Sequence, residues 1–165
     1  MRERHLALAD VLFVVLVIVG LIVGGEPPDA DEEVREIVGF HADNEDAVAI
    51  GAVLLGLGAI AFVFFGGYVR KVLRAAEGPG GVPSAVAFGE VILVAAGLTL
   101  DGTLSFALSA ADDVDPRAVQ ALQALWDDDF PPTLAGIVTF LLATGISIAR
   151  HGALPRWVGW AAIAI

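Results

Sequence analysis

The chain of 165 residues contains no cysteine and only three histidines. The absence of cysteine excludes disulfide bonds and thiolate metal sites, and scattered histidines make a metal centre unexpected. Three motifs are also absent: the zinc-protease pattern H-E-x-x-H, the nucleophile elbow G-x-S-x-G and the phosphate-binding loop. The glycine-rich segment 78–81 is a predicted turn without the flanking strand and helix that a phosphate loop needs. We therefore expect no enzymatic activity, no catalytic residue, no metal and no cofactor, and no nucleic-acid partner.

Basic residues are scarce as well. Nine Lys and Arg face 20 Asp and Glu, which gives a net charge of −11, yet 57% of the residues are hydrophobic and the mean hydropathy is +0.79. A soluble protein of this size cannot bury several long apolar segments in one core. The lipid bilayer is therefore the expected environment and the main expected partner.

The apolar segments have the length of membrane helices. A hydrocarbon core of about 30 Å needs roughly 20 apolar residues in a helix. We predict one integral membrane domain over residues 1–165, an all-α polytopic transmembrane helical bundle with four full spans and the start of a fifth. The full spans cover residues 6–25, 47–68, 84–110 and 131–149, a partial span covers 157–165, and outer loops cover 26–46 and 111–130.

Two of these segments have alternative interpretations. The first could be a secretory signal peptide, but a small-x-small cleavage site is missing before Glu26, which favours an uncleaved helix. The partial span is too short to cross a bilayer. It is either an interfacial stub or the beginning of a span in a longer protein, and we favour the second interpretation.

Charges of opposite sign alternate between the spans. The two outer loops hold 15 acidic residues and two arginines, while seven of the nine basic residues lie in the N-terminal segment and in the loops around residues 70–74 and 150–156. Lys and Arg in short loops mark the cytoplasmic side. We expect a multi-pass protein of the cell membrane with a cytoplasmic N-terminus and acidic extracellular loops.

The outer loops contain helical patterns. Asp115-Pro116 is typical of an N-cap followed by the first helical position, and an apolar face including Trp126 follows it. Apolar residues and His41 share a helical spacing in the first loop. His41 lies near several acids and is a candidate outer pH or cation sensor, although a solvated surface histidine is the simpler interpretation.

Two carboxylates, Glu90 and Asp101, lie inside the third span. They are eleven positions apart, which places them about 16 Å apart along the axis of a helix and on nearly the same face. An ionisable residue in a membrane helix is a candidate functional group, here for a proton or cation path. The alternative that we favour is structural hydrogen bonding to polar partners in the fourth span, for which the candidates are Thr139, Thr144 and Ser147.

Small residues recur four positions apart, as in Ala47/Gly51, Ala52/Gly56 and Ala85/Gly89. This spacing lets helix backbones approach closely. We expect it to serve internal packing, and a homo-oligomer or a membrane partner protein stays open.

Two stretches, residues 36–44 with the basic exit at 70–74 and residues 152–160, resemble uncharacterised multi-pass membrane proteins of high-GC bacteria, of the domain-of-unknown-function type. The resemblance implies a helical bundle of about five or six spans and transfers no active site. The expected function is a structural or accessory role in the membrane. The alternative is a small transporter or ion-coupled subunit that uses the embedded carboxylates.

Overall fold

The computed structural model describes residues 2–164, with side chains from Leu8 onward except that of Asp113. The side chains of Arg2 and Arg4, the basic residues of the N-terminal segment, lie outside the described part of the chain. Ile165, at the end of the predicted partial span, also lies outside it. Every regular element in the described residues is a helix, which confirms the all-α prediction. The helices are α1 (Arg2–Gly24), α2 (Val34–Asp43), α3 (Glu45–Glu77), α4 (Pro83–Leu108), α5 (Pro116–Asp127), α6 (Phe130–His151) and α7 (Arg156–Ala164), with a 3₁₀ turn at Ala111–Asp113.

Three stretches are long and apolar enough to cross a membrane: α3, α4 and the region Pro116–His151. Asp128 and Asp129 divide that last region into α5 and α6, and α6 is its apolar part. Leu8–Gly24 of α1 is a shorter apolar helix. The nine residues of α7 fall short of a span. The structure therefore supports a membrane-type helical protein, while the predicted count of four full spans and a fifth goes beyond it.

The long helices pack in chain order, each against the next. α1 packs on α3, α3 on α4, α4 on α6 and α6 on α7. All four pairs are antiparallel, because residues late in one helix meet residues early in the next, as in the contact of Gly24 with Gly51 and the packing of Gly66 against Val91. The acidic loops therefore lie at one end of the molecule. The start of α1, the α3–α4 turn and the α6–α7 turn lie at the other end, which we call the basic end.

Glycines allow the sharp turns at the basic end. Gly78 caps α3 with φ +76° and Gly152 caps α6 in the left-handed conformation with φ +71°. Residues with a Cβ rarely adopt this conformation. Both turns reverse the chain and bring consecutive helices into contact.

Most of the apolar surface of the spans faces outward. Only 28% of the most apolar part of α4 is buried. In the region Pro116–His151, 33% of the most apolar part is buried. Large apolar side chains such as Ile22 and Phe64 are 73% and 60% exposed. An apolar exterior of this extent is typical of a protein surrounded by lipid.

The two predicted loop helices exist and form a cap over the acidic end. The cap comprises α2, the 3₁₀ turn and α5, and it packs around Ile37, Leu108 and Val119, with Trp126 against them. Asp115 is the N-cap of α5, since its Oδ1 accepts a hydrogen bond from the backbone N–H of Arg117 at 2.9 Å. The predicted N-cap and the predicted apolar face of α5 are confirmed.

Candidate functional site

Asp101 lies where the membrane helix α4 meets the cap. Its Oδ1 accepts a hydrogen bond from the indole N–H of Trp126 at 2.7 Å and another from the hydroxyl of Ser105 at 3.3 Å. Its other oxygen, Oδ2, accepts no hydrogen bond from any described residue. Asp129, which precedes α6, lies close enough for the two carboxylates to repel each other. Asp101 therefore joins the long helix α4 to the cap, and its Oδ2 stays without a hydrogen bond from a described residue.

A second hydrogen-bonded chain runs through the cap from His41. The imidazole Nε2 lies 2.9 Å from the Oε1 of Gln123, and the amide nitrogen of Gln123 donates to Asp127 Oδ1 at 2.9 Å. Asp127 Oδ2 in turn accepts from the backbone N–H of Ala30 at 2.8 Å. The chain links α2, α5 and the loop that follows α1. Gln123 is completely buried, and nothing in the sequence pattern marked it.

This chain determines the tautomer of His41. An ionised carboxylate only accepts, so the NH₂ group of Gln123 must face Asp127 and its carbonyl oxygen must face His41. The Nε2 of His41 therefore carries the proton and donates. In the neutral ring, Nδ1 is then an acceptor, and this atom is buried without a hydrogen-bond partner among the described residues.

His41 is 2% exposed, so the interpretation of a solvated surface histidine is wrong. Its side chain points into the cap because Ile37 and His41 share the inner face of α2. Burial lowers the pKa of His41, and the hydrogen bond with Gln123 only partly opposes this effect. His41 is therefore held as a neutral hydrogen-bonding group, and its role as an outer sensor stays a prediction.

His41, Asp101, Ser105 and Trp126 line one cavity of about 40 Å³ at the acidic end. The remaining wall is mainly apolar and glycine-rich. It comes mostly from α1, α3 and the loop after α1, with Phe40 of α2 and Leu108 of α4. A cavity of this size holds one to about three water-sized molecules. The structure thus brings two of the predicted residues, His41 and Asp101, to one small cavity.

Glu90 lies apart from this cavity. Its side chain is half-buried and makes no hydrogen bond or ion pair with a described residue. Thr139 is half-buried and also makes no such bond, while the hydroxyl of Thr144 is buried without a partner. The hydroxyl of Ser147 donates to Glu77. None of the three candidate partners in α6 is hydrogen-bonded to Glu90 or Asp101.

Glu77, at the end of α3, forms a polar site that sequence reasoning missed. Its carboxylate accepts from the backbone N–H of Ser84 at 3.0 Å, from the hydroxyl of Ser84 at 2.7 Å and from the hydroxyl of Ser147. Both serines are completely buried. The site ties α3, α4 and α6 together at the basic end. An acid just before a glycine-rich turn, close to the N-terminus of the next helix, was the signal that could have revealed it.

Comparison with known proteins gives no match: no family model fits the chain, no curated protein is similar in sequence, and no solved structure is similar in fold.

Proposed function

We propose that the protein is an integral protein of the cell membrane with a structural or accessory, non-enzymatic role. The observation that carries this proposal is the hydrogen bond from Trp126 to Asp101, because it makes the carboxylate on α4 a support for the cap. A proton or cation relay would need a second polar group that is hydrogen-bonded to Asp101. Glu90 has no link to Asp101 through described residues.

The proposed topology places the acidic end outside and the basic end in the cytoplasm. Arg70, Lys71, Arg74, Arg150 and Arg156 lie at the basic end, which supports this direction by the positive-inside rule. α1 has 23 residues and about 34 Å of length, enough for a fourth crossing. α7 would begin a fifth span, since it packs antiparallel against α6.

The second candidate is a small transporter or ion-coupled subunit. It is favoured by the free oxygen of Asp101 and by the cavity beside it at the acidic end. In this alternative Asp101 binds the transported ion, and Glu90 is a second carboxylate on α4 nearer the basic end.

Flux measurements on the full chain in proteoliposomes distinguish the two candidates. For a structural protein we expect no proton or monovalent-cation flux above that of empty vesicles, and no difference between the wild type and Asp101→Asn. A cation-dependent flux that Asp101→Asn abolishes and Glu45→Gln, at an exposed surface position, preserves would contradict the structural role and support the transporter.

A further inference from the structure

The cavity at the acidic end contains one buried acceptor that lacks a donor. His41 Nδ1 is buried and has no hydrogen-bond partner among the described residues, and Asp101, whose Oδ2 accepts no hydrogen bond from a described residue, lines the same cavity. A buried acceptor such as this nitrogen needs a donor to offset its desolvation. The wall supplies no spare N–H donor, since the indole N–H of Trp126 is already bonded to Asp101 Oδ1. The missing donor must therefore come from a guest.

Charge favours a cation as the guest. The carboxylates of Asp101 and Asp129 lie close enough to repel each other, and a positive guest would relieve that repulsion. The basic side chains of the cap do not supply it: Arg35 is 89% exposed and bonded to Glu33, and Arg117 is also exposed. The acidic loops around the cavity concentrate cations at this end.

The ligand atoms narrow the class of cation. Hard metal cations such as Ca²⁺ and Mg²⁺ are bound by several oxygen ligands, whereas this cavity offers an imidazole nitrogen beside carboxylate and hydroxyl oxygens. Zinc takes at least three protein ligands from His, Cys or carboxylates, and no such group exists in the described residues. A cation with N–H donors satisfies both a nitrogen and an oxygen acceptor. At about 40 Å³ the space admits a cation near the size of water and excludes a bulky quaternary amine.

From these observations we infer that the cavity lined by His41, Asp101 and Ser105 binds one small ammonium-type cation from the acidic side of the protein. The cation donates to Asp101 Oδ2 and to His41 Nδ1, with the hydroxyl of Ser105 beside it. Binding of this cation adds a ligand site to the structural role and does not require transport. Because the site lies where α4 meets the cap, an occupied cavity stabilises the attachment of α2 and α5.

The test uses the purified full chain in detergent micelles at pH 7, with ammonium chloride compared with tetramethylammonium chloride at equal ionic strength. Ammonium should raise the thermal midpoint in a saturable manner, and tetramethylammonium should not. Asp101→Asn should weaken the apparent affinity for ammonium at least tenfold, whereas Glu90→Gln, on the same helix, should leave it unchanged. Equal responses to the two salts, or an unchanged affinity in Asp101→Asn, would overturn the proposal.

A second measurement covers the case in which Asp101→Asn does not fold. In the wild type labelled with ¹⁵N-histidine, ammonium should shift the Nδ1 resonance of His41 and leave that of the exposed His151 in place. Ser105→Ala should weaken the shift. An unmoved His41 resonance would mean that the cavity holds only water and would overturn the proposal. The His41 resonance does not depend on flux. The flux measurement can therefore contradict the structural role while the resonance supports the cation site, and the opposite result is also possible.

Discussion

The indole of Trp126 and the carboxylate of Asp101 meet across the boundary between a loop helix and a membrane helix, with 2.7 Å between donor and acceptor. A hydrogen bond to a charged group contributes about 1.5–3 kcal/mol in proteins. Measured values for bonds between membrane helices are lower, about 0.6 kcal/mol on average. This bond lies in the half of α4 nearer the acidic end, where the helix meets the cap.

Trp126→Phe keeps the aromatic ring and removes only the N–H donor. We expect it to lower the free energy of unfolding by about 1–2 kcal/mol, because the carboxylate of Asp101 loses its strongest donor. Unfolding in mixed detergent micelles measures this loss. Trp160→Phe is the matched control, since Trp160 is 63% exposed and should change stability by less than about 0.5 kcal/mol. Equal effects of the two substitutions would contradict the role given to this bond.

We predict that His41 makes the stability of the cap sensitive to pH. Its pKa is lowered in the folded state from an ordinary value of 6.5, so the unfolded cap binds the proton more readily. The stability of the cap is therefore full above pH 6.5 and is lost as the pH falls through 6.5 towards the folded pKa. Asp127 is connected to His41 through Gln123, and Asp101 lines the same cavity as His41. Burial lowers the pKa of His41 and outweighs the hydrogen bond with Gln123, which raises it.

Hydrogen exchange of the α2 amides tests this dependence. Protection factors in Val34–Asp43 should fall between pH 7 and pH 5 in the wild type. His41→Gln retains a side-chain donor for Gln123 but does not titrate, so its protection should vary much less over the same interval. If α2 in the wild type is equally protected at both pH values, His41 is not the group that controls the cap.

At the scale of the helices, close backbone approaches determine how neighbours pack. A Cβ built on Gly51 would lie 2.8 Å from the carbonyl oxygen of Gly20 and 3.0 Å from the Cα of Gly24, whereas one on Gly56 would meet nothing within 4 Å. Both glycines belong to predicted small-residue pairs. The spacing of small residues predicted where helices could approach closely. The position of the neighbouring helix determines at which of these residues a side chain would clash.

Gly51→Ala and Gly56→Ala form a matched pair on one helix. Gly51→Ala should destabilise the α1–α3 contact by about 1–3 kcal/mol, because the added methyl group meets backbone atoms that cannot move away easily. Gly56→Ala should be neutral or stabilising by up to about 1 kcal/mol, since alanine is the better helix former. Unfolding in mixed micelles and protease cleavage of the loop at 25–33 measure both variants. A Gly56→Ala variant as unstable as Gly51→Ala would contradict this packing.

The sequence predicted the helical segments well because hydropathy depends on local composition. The expected third span, 84–110, corresponds to α4 at Pro83–Leu108, and the N-cap at Asp115 is confirmed. The helix that contains the predicted second span, 47–68, is longer than that span, because α3 continues past its apolar part to Glu77. That extension carries basic residues, and hydropathy alone ends the helix before them.

The polar contacts could not be predicted in the same way. His41 was expected at the surface, and Glu77 and Gln123 were not singled out, since their burial depends on helices distant in sequence. His41 and Gln123 are 82 positions apart, and Glu77 and Ser147 are 70 positions apart. The position of Asp101 in the sequence predicted that it lies in a span. Its partner Trp126 emerged only from the placement of α5.

For the whole molecule, the distribution of charge and the packing of the helices both indicate one acidic end and one basic end. Antiparallel packing in chain order brings both acidic loops to one end and the basic turns to the other. The apolar exterior lies between these ends. This separation is the basis of the proposed membrane topology, with the cap outside and the basic end in the cytoplasm.

The most direct measurement is labelling of single cysteines in intact cells with a membrane-impermeant maleimide, because the chain has no cysteine of its own. Glu32→Cys and Asp128→Cys lie at exposed positions of the acidic end, and Pro79→Cys and Leu154→Cys lie at exposed positions of the basic end. We predict that the first two are labelled in intact cells and that the last two are labelled only after the cells are lysed. The reverse pattern would contradict the direction, and equal labelling of all four in intact cells would contradict a membrane-spanning bundle.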